Sequence, residues 1–245
     1  MRCAAVILAG GSGKRMGTAV PKQYMEISGK PVLSYSLKTF SESELVDEII
    51  VVAGEGYVEK VQNDIVDLYG FHKVSSVIKG GAERYHSVAR GLEALSDKTD
   101  YVFIHDGARP FVSAHTIERC LHYAVKFRAS VAAVPSKDTV KIADDDSMIQ
   151  QTPDRAHVWL VQTPQTFEYL MIRDAYRRLG DDEDRLRAAG IAVTDDTMVA
   201  KMYADVDARL VESSYDNIKI TTPEDIQTAE MICGRIFGDD KGGIT

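Results

Sequence analysis

Strand-like apolar runs that alternate with helix-spaced ones set the strongest limit on this chain. Ala4-Ala5-Val6-Ile7-Leu8 and Glu48-Ile49-Ile50-Val51-Val52 each read as a buried strand, and Val74 to Ile78, Tyr101-Val102-Phe103-Ile104 and Ser130 to Val134 as further strands. Between them, Pro31 to Phe40, Val58 to Leu68, a segment across Val88, Leu92 and Leu95, and residues 114–127 carry helical spacing. Strands without a polar face need cover on both sides. The alternation therefore implies an α/β fold, a mostly parallel twisted sheet flanked by helices. At 245 residues and 44% hydrophobic, the chain is expected to form a single domain, 1–245. Gly10-Gly11, Gly80-Gly81 and His105-Asp106-Gly107 all follow strands. They would converge at the carboxyl ends of the sheet, where such folds bind ligands.

The first of these loops is the most informative. Ala9-Gly10-Gly11-Ser12-Gly13 is followed at once by Lys14-Arg15, with Pro21-Lys22 closing the segment. Glycines let a backbone approach an anion closely, and the N–H groups of such a loop attract phosphate. Two familiar phosphate motifs miss. A P-loop needs a lysine followed by Ser or Thr, whereas Lys14 precedes Arg15. A dinucleotide fingerprint needs Gly-x-Gly-x-x-Gly, and Gly17 falls one place late. That near miss keeps a dinucleotide-dependent oxidoreductase open as an alternative.

A formal charge of -8 argues against a nucleic-acid or acidic-membrane partner, which would demand a basic face. Cys3, Cys120 and Cys233 make no zinc or redox spacing and are expected as small buried hydrophobes, and no apolar run is long enough to span a bilayer. A cytoplasmic protein is expected.

Residues 138–165 break the alternation and read as an inserted hairpin arm, one that packs on a neighbour or caps its own domain. A helix is expected over 168–180, with the acidic run Asp181 to Asp184 as a solvated helix start. Asn217-Ile218-Lys219-Ile220-Thr221 is strand-like. Asp106 could hold a sugar hydroxyl, a metal or Arg109. Arg155, on a proline-framed turn, suits either a phosphate or a surface ion pair. Lys219 is either an edge-strand gatekeeper or a functional cation. Gly81 and Ser87 belong to a second glycine loop suited to a base or ribose, and Thr139, Thr163 and Thr194 are hydroxyls that could orient a ligand. No histidine-rich cluster suggests a protein-held metal.

No serine or cysteine nucleophile with a histidine partner stands out, and no paired-carboxylate site. A reaction that needs neither is nucleotidyl transfer to a phosphate monoester. The second pKa of such a phosphate lies near ~6, so it attacks without a general base. The remaining work is alignment and charge stabilisation by Lys, Arg and Mg²⁺.

The run LAGGSGKRMG…PKQY resembles the nucleotidyltransferase signature of sugar-phosphate activating enzymes. GGAERYHSV, HDGARPFV, KDTVKI, TPDR, QTPQTF, TDDT and NIKITTPEDI, in that order, resemble the 2-C-methyl-D-erythritol 4-phosphate cytidylyltransferase family of the non-mevalonate isoprenoid pathway. The resemblance runs from Cys3 to Ile232 and implies a Rossmann-like nucleotidyltransferase fold. It implies CTP and a polyol phosphate as substrates, with Mg²⁺ bound mainly through CTP phosphates. It also implies a homodimer whose arm reaches the partner's site. By matched motif, Arg15 and Lys22 would act at the CTP phosphates, and Arg155 of the neighbouring subunit and Lys219 would position the acceptor phosphate. Ala9, Gly10, Gly11, Gly81 and Ser87 would line the CTP site, with Asp106, Arg109, Thr139, Thr163 and Thr194 at the acceptor. The nearest alternative is a ribitol 5-phosphate cytidylyltransferase. TPDR and GGAER favour the methylerythritol branch.

Overall fold

β1 (Cys3–Ala9) is the hub of the computed structural model, in which residues 1–11 and 21–237 are described. The chain continues through a small antiparallel pair, β2 (Glu26–Ile27) and β3 (Lys30–Pro31), into α1 (Val32–Glu42), β4 (Glu48–Ala53) and α2 (Val58–Val61). A π-helical stretch, Gln62–Asp67, extends α2. β5 (Val74–Lys79), α3 (Arg84–Glu93), β6 (Tyr101–Asp106), α4 (Ala114–Phe127) and β7 (Ala129–Pro135) follow. After the hairpin of β8 (Ile142–Ala143) and β9 (Ile149–Gln151) come β10 (Trp159–Glu168), α5 (Tyr169–Ala188), α6 (Asp196–Ala204), β11 (Arg209–Glu212) and α7 (Glu224–Phe237).

Seven strands form one sheet in the order β11-β7-β10-β6-β1-β4-β5. β10 runs antiparallel to both neighbours, and the other pairings are parallel. The chain winds outward from β1 through β4 to β5, then returns to lay β6 on the other side of β1. That reversal opens a crevice outside the carboxyl ends of β1 and β6.

Alternation along β1 builds both halves of the core. Cys3, Ala5 and Ile7 face Leu37 and Phe40 of α1 and Ile117 of α4. Ala4 and Val6 face Val88 and Leu92 of α3 and Ile172 of α5. The approach of α3 to the sheet requires Gly91, because a Cβ there would stand 2.4 Å from the Val6 side chain. Ser113 caps α4 by accepting the Thr116 N–H at 3.1 Å, and Asp195 caps α6 by accepting the Met198 N–H at 2.9 Å. α7 docks on α1 through a third cluster that includes Tyr35, Phe111, Ile220 and Ile232.

Three segments differ from the sequence reading. Residues 138–165 divide, because only the β8–β9 hairpin stands apart while Trp159 onward enters the central sheet as β10. The helix expected over 168–180 continues to Ala188, so the acidic run lies inside α5 and not at its start; Asp182 bonds Arg185, and Glu183 reaches His86 on α3. Asn217 to Thr221 is a loop, not a strand. Its Ile220 N–H donates to the Ala108 carbonyl at 2.9 Å, which ties it to the turn after β6.

Candidate active site

The crevice is a cleft of about 670 Å³. Ala9, Gly10, Gly11, Lys22, Gly81, Ser87, Asp106 and Lys219 all line it, so the three glycine loops and the late lysine do converge. The end of β1 is fastened from the side. The Gln23 amide donates to the carbonyls of Ala9 at 2.6 Å and Gly11 at 2.8 Å, and the Tyr24 hydroxyl donates to Ala9 at 2.7 Å. The Tyr24 ring stacks on Tyr57 with centroids 4.7 Å apart, closing that wall.

The second glycine loop is wound on its own helix. The Gly81 N–H donates to Ser87 Oγ at 3.0 Å, and a Cβ at Gly81 would meet the His86 Cβ at 2.2 Å. Only glycine fits there. His86 Nδ1 accepts the Glu83 N–H at 3.2 Å, so the ring's other nitrogen donates to Glu183 at 2.9 Å. This links the loop to α5.

The floor is a charge cluster centred on Asp106. Its carboxylate is 2.8 Å from Lys219 Nζ, 3.5 Å from Arg84 Nε and 3.9 Å from Arg109 Nε. Burial works to raise its pKa. Arg84, Lys219 and Arg109 outweigh burial and hold the carboxyl far below the ordinary range. Arg84 also grips Asp196 bidentately, at 2.6 and 2.7 Å. Burial disfavours the Arg84 charge, but Asp196 and Asp106 overcome it and raise the pKa well above the usual value. Three cations therefore face two carboxylates on the floor, leaving one positive charge over.

Beneath this floor His105 is fully buried. Its Nε2 donates to the Arg109 carbonyl at 3.2 Å, which leaves Nδ1 to accept from Thr163 Oγ at 3.0 Å. Thr163 Oγ in turn accepts the Asp106 N–H at 3.1 Å. Burial lowers the His105 pKa to about 4, matching this neutral tautomer. The unfolded chain protonates near the ordinary 6.5 while the folded chain resists. Stability from this group is complete above pH 6.5 and is lost as pH falls toward 4, by about 3 kcal/mol. Urea unfolding midpoints between pH 7 and 4 should show this decline, and His105→Gln should flatten it. An equal slope in the variant would assign the decline to other groups.

Other expected residues stand elsewhere. Arg109 does not line the cleft but reaches Asp106 from behind its wall, where its Nη1 donates to the Asn217 carbonyl at 2.7 Å and so holds the loop that carries Lys219. Thr163 is occupied by His105 and Asp106. Arg155, Thr139 and Thr194 are exposed and do not line the cleft. Arg155 donates to the Lys137 carbonyl at 3.2 Å, within the hairpin segment. Arg15 lies outside the described residues. Sequence reasoning passed over Arg84, Asp196, Gln23 and Tyr24. The one available signal was that Arg84 sits three residues after Gly81, at the first turn of α3. All three cysteines are free and buried. No helix among the described residues is long and apolar enough to cross a membrane.

The family model for 2-C-methyl-D-erythritol 4-phosphate cytidylyltransferase matches residues 3–235. A relative of that name from Lachnospira eligens is 49% identical over 225 residues, spanning 92% of this chain and 96% of the relative. The crystal structure of 4-diphosphocytidyl-2C-methyl-D-erythritol synthase from Anaerococcus prevotii superposes with a TM-score of 0.79 at 35% identity, covering 94% of this chain and 95% of that one. The Francisella tularensis cytidylyltransferase structure gives 0.76 at 29% identity, over 95% and 100% of the two chains. With the family model spanning nearly its whole length, the chain belongs to the 2-C-methyl-D-erythritol 4-phosphate cytidylyltransferase family.

Proposed function

We propose that this enzyme transfers the cytidylyl group of CTP to 2-C-methyl-D-erythritol 4-phosphate, in the cytoplasm, on the route to isoprenoid precursors. A phosphate oxygen of the acceptor attacks the CTP α-phosphorus, the bond to the bridging oxygen breaks, and pyrophosphate leaves. The observation that carries the reading is the glycine-lined cleft whose floor sets Lys219 2.8 Å from Asp106. Lys219 positions the acceptor phosphate, and Asp106 accepts from the acceptor's hydroxyls. Lys22 and Arg15 stabilise charge on the triphosphate. Ala9, Gly10, Gly11, Gly81 and Ser87 face the nucleotide.

The donor set fits a metal that arrives with the nucleotide. Among the described residues no three His, Cys, Asp or Glu side chains stand together, and Asp106 is committed to Lys219 and Arg84. Mg²⁺ bound to the triphosphate oxygens would supply further neutralisation of phosphate charge.

The acceptor side is completed by a second subunit. Arg155, Thr139 and Thr194 stand off the cleft of their own chain, while Ile142, Met148, Ile149, Leu160 and Val161 leave an apolar face exposed along the hairpin and the start of β10. We assign that face to a homodimer in which Arg155 of the partner subunit enters the acceptor end of the cleft. The test is pyrophosphate release with CTP and Mg²⁺. Release is expected with 2-C-methyl-D-erythritol 4-phosphate and not with ribitol 5-phosphate. Release with ribitol 5-phosphate alone would overturn the acceptor assignment and keep the cation roles.

A further inference from the structure

A second cavity, of about 1050 Å³, opens between α1, α7, the turn at residues 69–73 and the β2–β3 turn. It shares no lining residue with the cleft. Its walls are aromatic. Tyr35 and Phe237 pack with centroids 5.6 Å apart, and Tyr69 stacks on Phe71 at 6.0 Å. Gly70, at φ +67°, makes the turn that separates Tyr69 from Phe71. The Tyr35 ring is fixed at its far end, where its hydroxyl donates to the Ile27 carbonyl at 2.6 Å and accepts from Cys233 Sγ at 3.4 Å.

Cations border these rings. Lys30, Lys38 and Lys73 line the cavity, with Glu42 as the one carboxylate among the lining residues. The three lysines exceed the one lining carboxylate by two charges, on a chain whose net charge is -8. Lys38 stands 3.9 Å from Glu42, an exposed pair that neutralises little. It also lies 5.9 Å from the Phe237 ring centroid. Lys73 donates one proton to the Ser43 carbonyl at 2.6 Å and keeps two for another partner. Concave, ring-lined space with a few placed charges is the ordinary chemistry of a small-molecule site.

We propose that this cavity binds a small amphipathic anion, its apolar body against the Tyr35, Tyr69, Phe71 and Phe237 rings and its anionic head at the lysine border. The site is independent of the transfer reaction, since neither its residues nor its ligand class belong to the cleft.

The probe is 8-anilino-1-naphthalenesulfonate, titrated into the 245-residue chain and followed by fluorescence. One saturable site is expected, indifferent to CTP. Gly234 lines the cavity on α7, and a Cβ there meets nothing within 4 Å, so the side chain of Gly234→Phe starts into open space and takes up room in the cavity. It should weaken binding at least about tenfold. Lys30→Ala with Lys38→Ala removes two exposed charges and should cost about tenfold, as should replacing the probe by neutral N-phenyl-1-naphthylamine. Unchanged affinity in the lysine variant overturns the proposal, and that variant decides alone if Gly234→Phe does not fold. Displacement of the probe by CTP would overturn it too. So would about tenfold tighter binding after removal of residues 238–245, which would make the chain's own C-terminus the occupant.

Discussion

Arg84→Ala will lower stability by about 3 to 5 kcal/mol, or roughly 10 °C in melting temperature, and will abolish turnover. The cause is what the truncation leaves behind. Asp196 is fully buried, and Arg84 meets both of its oxygens, at 2.6 and 2.7 Å. Without the guanidinium, an ionised carboxylate stays in the core with Tyr176 as its remaining side-chain donor among the described residues. Asp106 loses one of its three cations in the same step. Chemical denaturation of Arg84→Ala, Asp196→Ala and the double variant checks this. The double variant should be more stable than Arg84→Ala alone, because it removes the orphaned charge. Strict additivity would show that the pair does not act as a unit.

Lys22→Ala should reduce turnover about 10²-fold or more, the loss typical of one charge contact made at a transition state and worth ~3 kcal/mol. Arg155→Ala should do the same from the other subunit. Mixing the two inactive proteins then gives a result that neither shows alone. In each mixed dimer one site carries both lesions and the other carries neither. Random exchange at equal concentrations should restore about a quarter of wild-type activity. No recovery after demonstrated exchange would place Arg155 outside the partner's site. Unchanged turnover in Lys22→Ala would remove that lysine from the chemistry.

The strands at the centre of the sheet were legible because their chemistry is local. β1, β4 and β6 are apolar on both faces, and the glycines that end β1 and β5 mark the rim directly. β10 was not legible as a central strand. Its middle reads Gln162, Thr163, Gln165 and Thr166, polar residues that suit an arm better than a core. They are buried because distant partners satisfy three of them. Gln162 meets Asn217, Thr163 meets His105, and Gln165 meets Asp195 and the N–H groups that open α6. The alternation of Ile218, Lys219 and Ile220 was read correctly as a pattern and wrongly as a strand. Ile220 packs in the α1–α7 cluster, and its N–H donates to the Ala108 carbonyl in the turn after β6. The place of Arg84 after Gly81 was its one local signal, and its role stayed hidden because its main partner lies 112 residues away.

The backward run of β10 also sets the order in which the molecule can assemble as it leaves the ribosome. Up to Asp106, strands β5, β4, β1 and β6 are contiguous and can zip together as an early sub-sheet. β7 is synthesised next, but its place is two positions from β6, with the gap filled only when Trp159–Glu168 emerges. β7 and α4 must therefore wait for a later segment. Asp106 waits longer still, as Asp196, which anchors its neighbour Arg84, and Lys219, which contacts it directly, are made after β10. A nascent chain holds the glycine loops of the cleft, with Arg84 and Arg109, well before it holds Asp196 and Lys219, so the charge set of the floor is completed late in the birth of the enzyme.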